Sequence, residues 1–208
     1  MQGLLNLISR PDCPVCGTVT VQSSLCEECE GTLPSTLWTP STPFGGLSSV
    51  HCLGDYSLTA GHLVKQAKYR KHRVASRILS DRLCEAWATQ QIPVDEIVPV
   101  PQSYRTTLSR GFSLPEEMAN ALSAHTGTPK KHHLHRRHGR RLASSRTARE
   151  RNLIAMSQYR RRKTQPADRI LLIDDVLTTG STANTCARLL RLGGAKEVHC
   201  LTAASPLI

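Results

Sequence analysis

The sequence predicts an α/β domain, a parallel β-sheet flanked by helices, preceded by a small cysteine-rich module. Three observations carry this reading. From Val50 onward, short apolar strands alternate with helical stripes. The run Ile170-Leu171-Leu172-Ile173 is apolar without a break, as a strand covered on both faces must be. Ahead of all this, Cys13, Cys16, Cys26 and Cys29 form two CxxC pairs.

The elements follow in order. Residues 1–31 read as the cysteine module and 32–49, rich in Pro, Ser, Thr and Gly, as a linker or extended crossing segment. Residues 50–208 form the α/β domain. Its first strand is His51 to Tyr56. Leu63, Val64 and Ala67 make one helical stripe, and Val74, Ala75, Ile78, Leu79 and Leu83 a second. The turn between them, Tyr69-Arg70-Lys71-His72, is basic. Asp95 to Val100 is a strand that ends in Pro99-Val100-Pro101, because proline brings no N–H to a ladder. Leu114, Met118, Ala121, Leu122 and His125 share a face of the next helix. After the strand at Ile170, a helix through Leu189, Leu190 and Leu192 stops at Gly193-Gly194. A last strand spans Glu197 to Thr202. Cys52, Cys84, Cys186 and Cys200 lie scattered among apolar neighbours and are read as core side chains.

Charge is concentrated in one place. The formal net charge is +11, yet residues 130–163 alone carry thirteen Lys or Arg against the single acid Glu150, a net of +12. The rest of the chain is close to neutral, with fourteen Lys or Arg against fifteen acids. Such a cluster points to a polyanion: a pyrophosphate, a nucleotide or a nucleic-acid backbone. Only Tyr159 interrupts it as an aromatic, so a base-stacking platform is poorly supported. His132, His133, His135 and His138, set among arginines without a carboxylate, are read as exposed. No apolar run reaches the roughly 20 residues of a membrane span, and Met1 to Arg10 lacks the parts of a secretory signal. The expected location is the cytoplasm.

The strongest chemical signal is Ile170-Leu-Leu-Ile-Asp174-Asp175-Val-Leu-Thr178-Thr179-Gly180-Ser181-Thr182. A buried strand delivers two carboxylates to the carboxyl edge of the sheet, where α/β folds bind ligands. Small hydroxyl residues and a glycine then turn into a helix, whose first N–H groups and dipole favour a phosphate. The acids are wrong for a phosphate but right for the diol of a ribose.

The cysteine pairs carry a separate chemistry. Two thiolates across a two-residue turn fit one face of a tetrahedron, and the second pair closes it. Four thiolates with no open position point to structural zinc, with iron–sulfur or redox use as the alternatives. Metal would fold a segment too small to fold alone.

The acid–acid–turn segment resembles the motif of type I phosphoribosyltransferases that binds 5-phosphoribosyl-1-pyrophosphate (PRPP), with every position filled. That resemblance implies that Asp174 and Asp175 hold the ribose hydroxyls and that Thr178, Thr179, Gly180, Ser181 and Thr182 cradle the 5-phosphate. It extends to Val98-Pro99-Val100-Pro101-Gln102-Ser103-Tyr104-Arg105, which looks like the pyrophosphate loop and nominates Tyr104, Arg105 and Arg110. With the paired CxxC, the Lys65 to His72 turn, Arg110-Gly111-Phe112 and Arg149-x-x-Asn152, the chain resembles the ComF/GntX family over nearly its whole length. It departs from that family at Ser113-Leu114, usually Asn-Gln, and at His138 and Arg141, where Thr and Gln are usual.

The resemblance implies a type I phosphoribosyltransferase fold with a zinc ribbon-like module, PRPP taken with magnesium, and a link to natural transformation and the use of imported DNA. Three functions stay open on the sequence. One is a PRPP-binding accessory of DNA uptake. Another is an active transferase moving phosphoribosyl to a nitrogen nucleophile. The last is a zinc-containing binder of single-stranded DNA or RNA. Residues 130–163 are either a loop that covers the ligand or a backbone-binding surface.

Overall fold

The structure is a computed structural model describing residues 12–20, 24–40, 45–137 and 158–206. The expectations placed on His138, Arg141, Glu150 and Arg149-x-x-Asn152 fall outside the described residues. Its organising strand is β5 (Arg169–Val176), which contains the apolar run and is buried from Ile170 to Asp175. Successive side chains of a strand point to opposite faces, so β5 feeds two cores. Leu171 and Ile173 enter one with Leu63, Leu79, Met118 and Leu122, while Ile170 and Leu172 enter the other with Cys186, Leu190 and Val198. The strand can be apolar throughout because neither face meets water.

β1 (Ser49–Asp55), β2 (Glu96–Pro99) and β6 (Glu197–Ser205) complete the sheet, in the order β1-β6-β5-β2 with every pairing parallel. Parallel strands need crossovers, and helices supply them. On one face lie α2 (Thr59–Arg70), α3 (Arg73–Ala88) and α5 (Leu114–Thr126); α6 (Ser181–Arg191) covers the other. α2 stops where Lys71 turns left-handed at φ 57°, and His72 starts α3 by accepting the Ala75 N–H at 3.3 Å. α5 ends at Gly127, φ 73°, a position where glycine has no steric penalty. The α/β class, the parallel sheet and the flanking helices are as the sequence predicts.

Some expectations are corrected. The last strand continues to Ser205, because Ala203, Ala204 and Ser205 are also covered. The helix expected to run through Leu189, Leu190 and Leu192 ends at Arg191, with Leu192 as its exposed C-terminal cap. His125 is likewise exposed on α5.

The basic stretch holds an antiparallel pair, β3 (Leu134–Arg136) with β4 (Tyr159–Arg161), which the sequence did not signal. Leu134 and Tyr159 anchor it to the α6-side core. His133, expected to be exposed, is buried. Its ring nitrogens lie 2.7 Å from Glu96 Oε2 and 2.8 Å from Thr164 Oγ1, tying the strand pair to the start of β2. The missing carboxylate was therefore supplied by a residue 37 positions away.

The cysteine segment is packed against the sheet domain rather than hung from it. α1 (Glu27–Gly31) is followed by Leu33, which is buried among α2 and α3 side chains. Arg82 of α3 pairs with Glu30 and donates to the Leu33 carbonyl at 3.0 Å, and Thr32 and Thr59 hydroxyls meet at 2.6 Å. Within residues 32–49, Trp38 exchanges both backbone hydrogen bonds with Cys52 of β1 at 2.8 Å, so this part is a crossing segment and not a free tether. Cys52, Cys84, Cys186 and Cys200 are all buried.

Gly61 in α2 touches the chain turn that leaves β1: a Cβ there would run into the backbone of Tyr56. Replacing it forces helix and turn apart. Gly61→Ala is expected to destabilise the protein by about 1–3 kcal/mol; chemical denaturation with an unchanged midpoint would show that the turn yields freely.

Candidate ligand site at the carboxyl edge of the sheet

β5 ends in Asp174 and Asp175, and both stay inside: their residues are 9% and 6% exposed. Two adjacent carboxylates with so little water demand compensation. Asp175 receives it from two sides. Lys68 Nζ, on α2, lies 2.7 Å from its Oδ1, and Gln102 Nε2, just past β2, donates to its Oδ2 at 3.0 Å. Asp174 has less. Its Oδ1 accepts the backbone N–H of Asp175 at 2.9 Å. Burial, and then the charge of Asp175, push its carboxyl up to about 7, against the pull of that N–H, Lys68 and Arg136. Around it the medium is apolar enough that burial also raises the thiols of Cys186 and Cys200.

The acids floor a cavity of about 420 Å³. Its walls come from separate parts of the chain: Tyr56 after β1, Lys68 of α2, Val100, Pro101 and Gln102 after β2, Arg136 of β3, Tyr159 of β4, Val176 at the end of β5, Thr178 just past it, and Thr182 of α6. Arg136 is held by Gln158 Oε1 at 2.7 Å and lies 5.6 Å from the centre of the Tyr159 ring. Beside this cavity is a smaller cradle formed by Asp174 and the turn Val176 to Ala183. Gly180 sits there at φ 69°, a left-handed position that suits glycine and caps α6. The Thr179 and Ser181 hydroxyls meet at 2.8 Å. Hydroxyl-bearing residues and the first turn of α6 thus line a small pocket beside Asp174, where helix N–H groups favour an anion.

Of the residues nominated by the sequence, Asp174, Asp175, Thr178 and Thr182 line the large cavity, and Thr178, Thr179, Gly180, Ser181 and Thr182 the cradle. Tyr104 opens α4 (Tyr104–Arg110), is exposed, and does not line the cavity. The side chains of Arg105 and Arg110 lie outside the described residues. Sequence reading missed Lys68, Gln102, Arg136 and Tyr56 as parts of the site. Lys68 and Gln102 did fall within segments that carry the family resemblance, which was the available signal.

The second chemical cluster is separate. The sulfurs of Cys13, Cys16, Cys26 and Cys29 all lie within 4.8 Å of one another, with Cys16 and Cys26 at 3.6 Å. Sulfurs at 2.3 Å from a tetrahedral centre stand about 3.8 Å apart, so the four cysteines are positioned to hold a metal ion. Gly17, φ 80°, turns the chain after the first pair, and hydrogen bonds with Thr18 bring the Cys16 thiol down to about 6. Burial pushes the Cys29 thiol the other way, up, so the case for a metal rests on the placement of the four sulfurs.

The Asp174 carboxyl makes stability depend on pH. Its folded value, about 7, exceeds the ordinary 3.8, so the native state holds the proton more tightly than the unfolded one. Stability should therefore fall as pH rises across that interval. His51, held down to about 4 by burial, acts with the opposite sign, so wild type must be compared with a variant. Denaturation of Asp174→Asn and wild type from pH 4 to 8 should show the variant gaining relative stability toward pH 8; a constant difference would mean that Asp174 ionises normally.

Comparison with known proteins gives one curated relative and several similar solved structures. No family model matches the chain. Competence protein F of Haemophilus influenzae is 28% identical over 156 residues, 71% of this chain and 68% of the relative. Among solved structures, adenine phosphoribosyltransferase from Leishmania tarentolae is similar with a TM-score of 0.47 and 14% identity, over 81% of this chain and 94% of that one. The glutamine PRPP amidotransferase of B. subtilis has a TM-score of 0.43 at 21% identity, over 62% of this chain. That match spans only 26% of the amidotransferase. The resemblance to ComF proteins is thus matched by a curated relative, Competence protein F, over 71% of this chain.

Proposed function

We propose that the chain binds PRPP with magnesium, as a phosphoribosyltransferase-like protein serving DNA uptake in competence. The observation that carries the reading is the buried pair Asp174 and Asp175 beside the hydroxyl-lined turn that starts α6. The carboxylates accept hydrogen bonds from the ribose 2- and 3-hydroxyls, and Thr178 to Thr182 take the 5-phosphate. The larger cavity then receives the pyrophosphate end, near the cations Lys68 and Arg136. The link to competence rests on the name of the relative from Haemophilus influenzae.

The cavity lining is rich in oxygen donors, which suits the magnesium that travels with PRPP, bound chiefly to the phosphates of the ligand. Magnesium would supply charge neutralisation for the pyrophosphate. The protein's part is to orient the ribose. Asp174 and Asp175 fix the diol, and Tyr56, Val100 and Val176 restrict water around it. Where C1 becomes positive during loss of pyrophosphate, the same carboxylates stabilise that charge. The four cysteines hold zinc, because a closed set of four thiolates is its ordinary structural site.

Hydrogen bonds to charged groups contribute about 1.5–3 kcal/mol each, so removing both carboxylates should weaken PRPP at least tenfold. Calorimetry of PRPP with magnesium on Asp174→Asn with Asp175→Asn checks this; wild-type affinity in the double variant would refute the ribose assignment. Elemental analysis should find one zinc per chain, lost in Cys13→Ser with Cys16→Ser. An iron–sulfur absorption spectrum in the wild type would contradict zinc.

A further inference from the structure

Lys68 stands out among the residues of the cavity because neither its neighbours in sequence nor the acid–acid–turn motif accounts for it. It comes from α2, is one of two cations that line the large cavity among the described residues, and its side chain is only 15% exposed. It does not line the phosphate cradle. Its ammonium carries three donors, of which Asp175 Oδ1 at 2.7 Å takes one. The other cation, Arg136, is fixed by Gln158 and lies against Tyr159. Lys68, on a flexible four-carbon stem, is the more adaptable of the two.

We propose that Lys68 is a pyrophosphate-binding residue whose charge is shared between Asp175 and the pyrophosphate of the ligand. This deepens the PRPP reading and rests on it. A polyanion entering a cavity floored by two carboxylates needs a cation there, and Lys68 is the cation already drawn to the acid pair. When ribose hydroxyls donate to Asp175, that carboxylate is compensated by the ligand, and the hold on Lys68 loosens. Its ammonium can then close on the pyrophosphate without leaving Asp175 bare. Lys68 therefore couples the two ends of the ligand: whatever compensates Asp175 strengthens the grip on pyrophosphate, and the reverse must hold by linkage.

A purely structural counter-ion for Asp175 would behave differently, and two simple probes separate the cases. Pyrophosphate with magnesium reports the proposed contact, and ribose 5-phosphate reports the diol and cradle. Each is titrated calorimetrically into wild type, Lys68→Met, Asp175→Asn and the double variant. The expected result for Lys68→Met is pyrophosphate weakened about tenfold or more, with ribose 5-phosphate changed much less. Asp175→Asn, which releases the lysine, should tighten pyrophosphate severalfold, and that gain should vanish when Lys68 is also Met. Because Lys68→Met strands a buried carboxylate, Asp175→Asn and the double variant keep the test open should the single variant fold poorly. Equal pyrophosphate affinity with and without Lys68, or a gain from Asp175→Asn that persists in the double variant, would overturn the proposal. Wild type that binds neither probe would instead overturn the PRPP reading itself, and the proposal with it.

Discussion

The burial of two adjacent carboxylates at the end of β5 is the constraint on which the rest of the site depends. Carboxylates taken out of water are costly unless paired or hydrogen-bonded. The fold meets that cost by bringing distant groups to one point: Lys68 from α2, Gln102 from the exit of β2, and Arg136 from β3. Asp175 has a side-chain partner at each oxygen, whereas burial and the charge of Asp175 raise the Asp174 carboxyl to about 7.

The parallel sheet is what makes such burial affordable in space. β5 has neighbours on both sides and a core on both faces, so its last residues emerge where strand, helix and loop ends converge. The packing then fixes the walls. Gly61 lets α2 approach the turn carrying Tyr56, and the same helix presents Lys68. His133, held by Glu96 and Thr164, ties the β3–β4 pair to the sheet and so stations Arg136 and Tyr159 over the cavity. The cysteine segment packs through Leu33 and Arg82 onto α2 and α3, the helices behind Lys68.

What was legible in the sequence was what repeats or lies contiguous in it. The unbroken run at Ile170, the acid pair, the hydroxyl-rich turn and the paired CxxC each sit within a few residues, and the structure brings each together as a unit. What was not legible depends on pairing across the chain. His133 looked exposed because its carboxylate, Glu96, lies on another strand. The β3–β4 pair was hidden in a basic stretch because its strands are only three residues long, too short for a period to register. Lys68 was not singled out, since one lysine among Lys65, Arg70 and Lys71 reads as part of a solvated basic face.

The central claim is that Asp174, Asp175 and the turn into α6 form one PRPP site. Backbone amide hydrogen exchange, followed by mass spectrometry with and without PRPP and magnesium, tests it most directly, because the claim assigns specific N–H groups to the 5-phosphate. The account predicts slowed exchange across Thr178 to Thr182 on adding the ligand, with peptides from the cysteine segment unchanged. Unaltered exchange in that turn at a PRPP concentration that saturates binding would contradict it.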